Sequence, residues 1–395
     1  MIFVFYLVSF RDRITQTLYL IADAAVTSPL LRNPKAGSNS TIRRILTAVL
    51  TLRSNRYVYE TARKHTDPPG RDAMKILVTG ATGYIGGAAA KALVKRGHEV
   101  FGLARSEDSA GQLRLAGITP VAGDFADTAS LIRAAAEVDT IVSTASIGSL
   151  AGSAETFAQD RDAIRAMLGA VEGSGKTLIF TSGSAVLGIV NSGEATHEVF
   201  DEDVSLPLPP SVFAPASANV PPVMAQMFGA AMAARVETEK EVANAAGIRG
   251  IVMRPGLVYG NGGSYDLPGL IRMARARGVA PHLGSGGTLQ GYIHVDELAE
   301  LYCLALERAP AGAVLHGVAG EVSQRELAAA VSRMIGAGDR TVSFPFEEMY
   351  ATGGPIGVSL SLNKRMSSDK TRSLLAWSPT RTDILHDIEF GSYAA

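Results

Sequence analysis

Among its 395 residues the chain has a single cysteine, Cys303. That excludes an intramolecular disulfide and any zinc site built on a cysteine cluster, and it fits a reducing, cytoplasmic setting. No apolar run approaches the roughly 18 residues that a membrane-spanning helix needs. Charge of one sign is not in excess either: the formal net charge is −1, so no overall field favours nucleic acid or a membrane surface. No His, Cys, Asp or Glu cluster has metal-ligand spacing, so no metal site is expected. There is no internal repeat, and no basic–aromatic stripe for nucleic acid. Tyrosine is missing from the whole interval between Tyr84 and Tyr259.

What is present reads as a soluble globular protein, with 47% hydrophobic and 19% charged residues. The composition changes near Met74. Residues 1–73 carry 11 Lys+Arg against 5 Asp+Glu, whereas the remainder carries 26 against 33. This first segment opens on MIFVFYLV, followed by Arg11-Asp12-Arg13, which is the wrong order for a secretory signal peptide. Residues 41–64 have the pattern of a basic amphipathic helix, and Asp67-Pro68-Pro69-Gly70 then breaks the chain. Residues 1–73 are expected to be an N-terminal extension outside the fold. Three alternatives stand: a start-site artefact with Met74 as the true start, a disordered or peripheral tail, and a targeting segment.

Lys75–Thr79 (KILVT) has the short, β-rich pattern of a buried parallel strand. Gly80-Ala81-Thr82-Gly83-Tyr84-Ile85-Gly86-Gly87 follows, and then a helical stretch to Arg96. Strand, glycine turn and helix together are the setting in which such a loop holds a dinucleotide. Gly80 permits the sharp turn, Gly83 lets the backbone approach the pyrophosphate, and Gly86 lets helix and strand pack closely. The helix N-terminus then offers free N–H groups to the phosphates. A second strand, His98–Leu103, ends in Ala104-Arg105-Ser106. The slot that carries an acid for the ribose in NAD sites holds Ala104, and Arg105 is suited to pair with a 2′-phosphate. NADP is therefore expected rather than NAD. Further strands are expected before Gly123-Asp124-Phe125, at Asp139–Ala145 and at Thr177–Thr181, with helices between them at βαβ spacing. The expected fold class is α/β: a Rossmann-type doubly wound parallel sheet with right-handed crossovers and a smaller C-terminal substrate lobe. The domain division is 74–259 for the dinucleotide domain and 260–395 mainly for the lobe, interleaved with the core.

In these motifs the chain, over about residues 74–393, resembles the short-chain dehydrogenase/reductase superfamily, specifically its extended or atypical branch of NAD(P)-dependent epimerases and dehydratases. The TGATGYIGG loop is similar to the branch's TGxxGxxG pattern. Asp124, followed by Phe125, resembles its adenine-contacting aspartate, and Thr144-Ala145-Ser146 stands where the fourth strand meets the cofactor. Arg254-Pro255-Gly256-Leu257-Val258-Tyr259-Gly260 resembles the RPxxVYG segment that passes the nicotinamide end. Ile293–Ala299 resembles IHVDDLA, and Leu375–Pro379 resembles LGWxP. The implied cofactor contacts are Gly80, Thr82, Gly83, Tyr84, Ile85, Gly86, Arg105, Asp124, Phe125, Thr144, Ala145, Pro255, Gly256 and Val258.

The catalytic motif of that superfamily, Ser or Thr followed by Tyr-x-x-x-Lys, is not matched. Arg235 and Glu239 fall in the Tyr and Lys slots, and the usual catalytic hydroxyl falls on Gly183, between Ser182 and Ser184. The candidate catalytic residues are Ser182 and Ser184 to orient a substrate oxygen, Arg235 as a cation beside it, and Tyr259 and His294 as acid–base groups. Each has an ordinary structural alternative, such as an Arg235–Glu239 helix pair. Asp296 reads as the N-cap of Asp296–Arg308. The Pro-rich stretch between Gly188 and Met232 reads as an irregular lid over the substrate pocket. The implied function is an NAD(P)-dependent oxidoreductase or epimerase-like protein acting on a small carbonyl or hydroxyl compound; its partner would be that small molecule, with a homodimer admissible. A non-catalytic NADP-binding redox sensor and a nucleotide-sugar epimerase or dehydratase are the alternatives.

Overall fold

Strand β1 (Lys75–Thr79) is buried on both faces, as an uninterrupted apolar run demands. Ile76 and Val78 point to one side of the sheet, against Ala89, Ala90 and Leu93 of helix α1 (Tyr84–Lys95). Leu77 points to the other side, into a cluster with Leu131, Ile164 and Met167. The two-residue side-chain period thus divides one strand between two cores.

The computed structural model describes residues 73–147, 154–191, 193–213, 222–353, 359–360 and 362–394. The expectation for residues 1–73 lies outside these, apart from Ala73.

After α1 the chain alternates through β2 (Glu99–Ala104), α2 (Glu107–Leu115), β3 (Thr119–Ala122), α3 (Thr128–Ala136), β4 (Thr140–Ser143), α4 (Ala154–Val171) and β5 (Thr177–Thr181). The helix starts are written locally. Ser106 and Ser109 cap α2 reciprocally, and the Asp127 carboxylate accepts from Ala129 N at the start of α3. The second half holds β6 (Ile189–Val190), α5 (Pro210–Phe213), α6 (Pro222–Ala243), β7 (Arg249–Pro255), β8 (Leu257–Tyr259), α7 (Leu267–Arg277), β9 (Ala280–Leu283), β10 (Leu289–His294) and α8 (Val295–Arg308). It closes with β11 (Ala313–Gly317), β12 (Gly320–Ser323), α9 (Gln324–Met334), β13 (Thr341–Phe344), α10 (Phe346–Gly353), β14 (Leu362–Asn363), α11 (Asp369–Leu375) and α12 (Ile384–Phe390).

The main sheet has seven strands in the order β11-β7-β5-β4-β1-β2-β3. Every pairing in it is parallel. The order runs outward from β1 to β3 and then restarts at β4 on the other side of β1. The carboxyl ends of β1 and β4 therefore border a crevice where the crossovers part to opposite faces. This is the Rossmann-type, doubly wound α/β fold that the sequence pattern predicts. A three-stranded sheet, β12-β10-β8, and two two-stranded pairs lie beyond it. Leu257, Leu270, Ile271, Leu327 and Val331 fill a separate cluster under α7 and α9.

Three local expectations are corrected. Helix α6 starts at Pro222, so the end of the stretch read as irregular up to Met232 is helical; proline at a helix start forgoes only an N–H that has no intrahelical partner there. The N-cap of α8 is His294, whose Nδ1 accepts from Asp296 N at 3.1 Å, and Asp296 lies inside the first turn. The second strand begins one residue later than His98 and includes Ala104.

Candidate active site

A cleft of about 840 Å3 opens at the carboxyl ends of β1, β2, β4 and β5, within the range of roughly 300–1,000 Å3 typical of ligand sites. Its first wall is the glycine loop. Gly80 has φ +74°, a left-handed turn that carries no steric cost for glycine, and Gly83 N donates to Gly80 O at 2.8 Å to close it. A Cβ on Gly86 would overlap the Gly80 carbonyl and Thr144 Oγ1, so only glycine lets α1 sit this close to the strand ends. Thr144 Oγ1 donates to Thr79 O at 2.6 Å, and Ala145 N donates to Thr79 Oγ1 at 3.3 Å, locking β4 to β1 at the crevice. The start of α1 has no side-chain cap and no acidic residue in its first turn. Its N–H groups and positive dipole end are left for an anion. The Tyr84 hydroxyl is engaged elsewhere, donating to Gly260 O at 2.8 Å, and burial holds its pKa far above the usual phenol range.

Every residue expected to contact the dinucleotide lines this one cleft, from Gly80 through Arg105 and Asp124 to Val258. Arg105 is exposed at the end of β2 and makes no ion pair among the described residues. Asp124 is turned into its own loop, accepting from Ala126 N at 2.9 Å.

The exit of β5 forms the far wall. Ser182, Ser184 and Arg235 all line it. Ser182 Oγ is buried without a hydrogen-bond partner among the described residues. Arg235 reaches across from α6, and its Nη2 donates to Thr181 O at 2.8 Å and to Ser182 O at 3.0 Å. Its guanidinium lies over the rings of Phe157 and Phe180, 5.2 and 5.4 Å from the centroids. Asp160, on α4, stands 3.9 Å from Nη1 and accepts from Ile147 N at 2.6 Å and from the Ser146 hydroxyl. Burial pushes the Asp160 carboxyl up and the Arg235 guanidinium down, each opposed by the other's charge. The pairing of Arg235 with Glu239 on its own helix does not occur; Glu239 is taken by Arg254 at 2.6 Å.

Tyr259 and His294 are not brought to the cleft. Tyr259 is buried with its hydroxyl donating to Arg381 O at 3.1 Å, and its ring stands edge-on to Tyr292 and His294. The His294 ring, besides capping α8, fills the space beside Gly260, and burial lowers its pKa. Both are buried core residues in this structure. No described residue between Gly188 and Met232 lines the cleft; residues 192 and 214–221 of the stretch read as a lid lie outside the described residues.

The cleft also takes Ser264, Tyr265, Asp266 and Lys364, none of which the motifs single out. Asp266 stands immediately before Leu267-Pro268 and reads as an ordinary helix cap. Lys364 stands alone after a short strand, with no spacing signal to mark it.

The chain matches the NAD dependent epimerase/dehydratase family over residues 76–316 and belongs to it, within the extended branch of the short-chain dehydrogenase/reductase superfamily. It is 30% identical over 322 residues to an uncharacterized protein of Schizosaccharomyces pombe, covering 81% of this chain and 100% of that one. It is also 30% identical over 299 residues to a 2-alkyl-3-oxoalkanoate reductase of Stenotrophomonas maltophilia, covering 71% of this chain and 81% of that one. Among solved structures, a dTDP-glucose 4,6-dehydratase from Streptomyces venezuelae with NAD bound superposes with a TM-score of 0.60 at 20% identity, covering 81% of this chain and 96% of that one. Structural likeness at that identity shows the shared fold.

Proposed function

We propose that the chain is an NAD(P)-dependent oxidoreductase that reduces a small carbonyl compound, or oxidises the matching alcohol, without the Tyr-x-x-x-Lys pair. The carrying observation is Ser182 Oγ, buried and unpartnered in the same cleft as an uncapped, acid-free helix start behind a glycine turn. A buried hydroxyl without a partner costs roughly 1–3 kcal/mol, and a substrate oxygen would relieve that cost. When bound, the dinucleotide supplies or accepts the hydride. Gly80, Gly83 and the N–H groups of α1 would hold its pyrophosphate, and Pro255–Val258 would border its nicotinamide end. Ser182 and Ser184 would hold the substrate oxygen, and Arg235 fixes the backbone at Thr181 and Ser182. Residues 260–395, apart from β11, would supply the substrate side. Similarity to a 2-alkyl-3-oxoalkanoate reductase supports reduction of a ketone.

NADP is proposed over NAD because Arg105 lines the cleft without an ion-pair partner among the described residues, next to Ala104 where an acid would hold a ribose. Calorimetric titration tests both readings. NADPH should bind more tightly than NADH by about ten- to a hundredfold, the worth of one charge-assisted pair, and Arg105→Ala should remove most of that gap. A panel of small ketones and 3-oxo acids should show dinucleotide-dependent turnover. Absence of binding by either dinucleotide overturns the proposal, and equal affinities overturn the preference.

A further inference from the structure

A reduction that proceeds in this cleft must also place a proton on the substrate oxygen, and the groups expected to do so, Tyr259 and His294, face elsewhere. Ser182 and Ser184 are hydroxyls with no charged partner to acidify them, and Arg235 is a poor proton donor at neutral pH. On the side contributed by residues beyond Tyr259, a different pair reaches the cleft. Asp266 is 4% exposed and Lys364 is 2% exposed, and both line it.

The two are joined through Ser359, itself 2% exposed. Lys364 Nζ donates to Ser359 Oγ at 3.2 Å and to Ser359 O at 3.0 Å, and Ser359 Oγ donates to Asp266 Oδ2 at 3.3 Å. The donors all run one way, from amine through hydroxyl to carboxyl. Gln290, fully buried, holds the backbone of this link by donating from Nε2 to Leu360 O at 3.1 Å. Asp266 Oδ1 is buried and has no partner among the described residues.

The local conformation is informative as well. Asp266 is the N-cap residue of α7, yet its side chain makes no capping bond. Ser264 serves the helix start instead, its Oγ accepting from Asp266 N at 3.2 Å and Leu267 N at 3.4 Å, which leaves the Asp266 carboxyl turned to Ser359. The helix end favours the carboxylate form, but burial pushes the Asp266 carboxyl up; the charge facing it is Lys364, which opposes that rise. Burial in turn lowers Lys364. Tyr265 adjoins Asp266 in the chain and also lines the cleft.

We propose that Asp266, backed by Ser359 and Lys364, is the acid–base group of this cleft. This rests on the oxidoreductase reading. In the reductive direction the substrate carbon gains a hydride and its oxygen gains the Oδ1 proton of Asp266. The dihydronicotinamide is oxidised, and Asp266 is left as a carboxylate. The Ser359 hydroxyl, and through it Lys364, then meets the negative charge. Alcohol oxidation is the reverse, with the carboxylate taking the hydroxyl proton.

The test begins on the full chain without dinucleotide. Infrared difference spectra across a pH titration should show a carboxylic-acid carbonyl band that persists above the ordinary carboxylate range and is absent in Asp266→Asn. With dinucleotide and an accepted ketone, Asp266→Asn should lower kcat by about 100- to 10,000-fold, the usual contribution of a general acid. Its dinucleotide affinity should stay within about twofold of the parent. Lys364→Met removes the opposing charge and should move the kcat–pH profile to higher pH. A wild-type spectrum identical to that of Asp266→Asn overturns the proposal, as does unchanged turnover and pH profile in that variant. Failure of the wild type to bind either dinucleotide sinks the oxidoreductase reading instead, and the infrared band still decides independently whether Asp266 holds a proton.

Discussion

Arg254 and Glu239 form a buried ion pair, Nη2 to Oε2 at 2.6 Å, with side chains only 5% and 4% exposed. Glu239 is thereby spent on β7, which frees Arg235, one turn earlier on α6, to bond the exit of β5. Removing one member of a buried pair leaves the other charge uncompensated, at a cost of about 3–5 kcal/mol. Glu239→Ala should therefore lose that much stability in urea unfolding. A loss under about 1 kcal/mol would show that the pair is not buried in solution.

Arg235 separates two outcomes. Its Nη2 bonds to Thr181 O and Ser182 O are made by a charged donor, each worth about 1.5–3 kcal/mol. Arg235→Ala should be measurably destabilised in thermal unfolding. If the guanidinium also keeps Ser182 and Ser184 at the substrate oxygen, kcat should fall by about a hundred- to a thousandfold, with dinucleotide affinity unchanged. A folded variant with wild-type kcat would confine Arg235 to a structural role.

His316 should make stability pH-dependent. Its Nδ1 donates to Ser367 O at 2.8 Å, which leaves Nε2 to accept from Arg254 Nη1 at 3.3 Å; the ring is therefore neutral. Burial, first, holds its pKa down at about 4, against an unfolded value near 6.5. The unfolded chain thus binds the extra proton between these values. The contribution is fully present above about pH 6.5 and is lost as pH falls towards 4, amounting to about 3 kcal/mol. Chemical unfolding at a series of pH values should show this slope, and His316→Gln should flatten it. An equal slope in the variant would assign it to other groups.

Gly86→Ala should abolish dinucleotide binding in a titration and destabilise the fold by about 1–3 kcal/mol, because the added methyl overlaps the Gly80 carbonyl and Thr144 Oγ1. Wild-type affinity in this variant would mean that the loop is not the pyrophosphate cradle.

The glycine loop and the strands of the main sheet were legible because each is local: a β-rich run, a turn that only glycine satisfies, a helix start. Lys75–Thr79 and Thr177–Thr181 fall on the residues their composition picks out. The acid–base side was not legible. Tyr259 and His294 have suitable chemistry, but the parallel pairing of β8 with β10 sets them at one register and packs their rings edge-on against each other. Asp266 and Lys364 are far apart in sequence and meet only through Ser359, a contact that no spacing rule encodes. The start of α6 at Pro222 was obscured because the small and proline-rich residues around it resemble a loop.

The order of strands in the main sheet also bears on how the chain is made. β11 pairs only with β7, yet it is synthesised after β8, α7, β9, β10 and α8 have all emerged. Until Ala313–Gly317 leaves the ribosome, the Ile251–Pro255 edge of β7 is an open row of amides and carbonyls beside an apolar surface, suited to pairing with a neighbouring chain. Nascent chains stalled before that point should be the ones that aggregate or recruit holdase chaperones, whereas chains a few tens of residues longer can seal the sheet themselves.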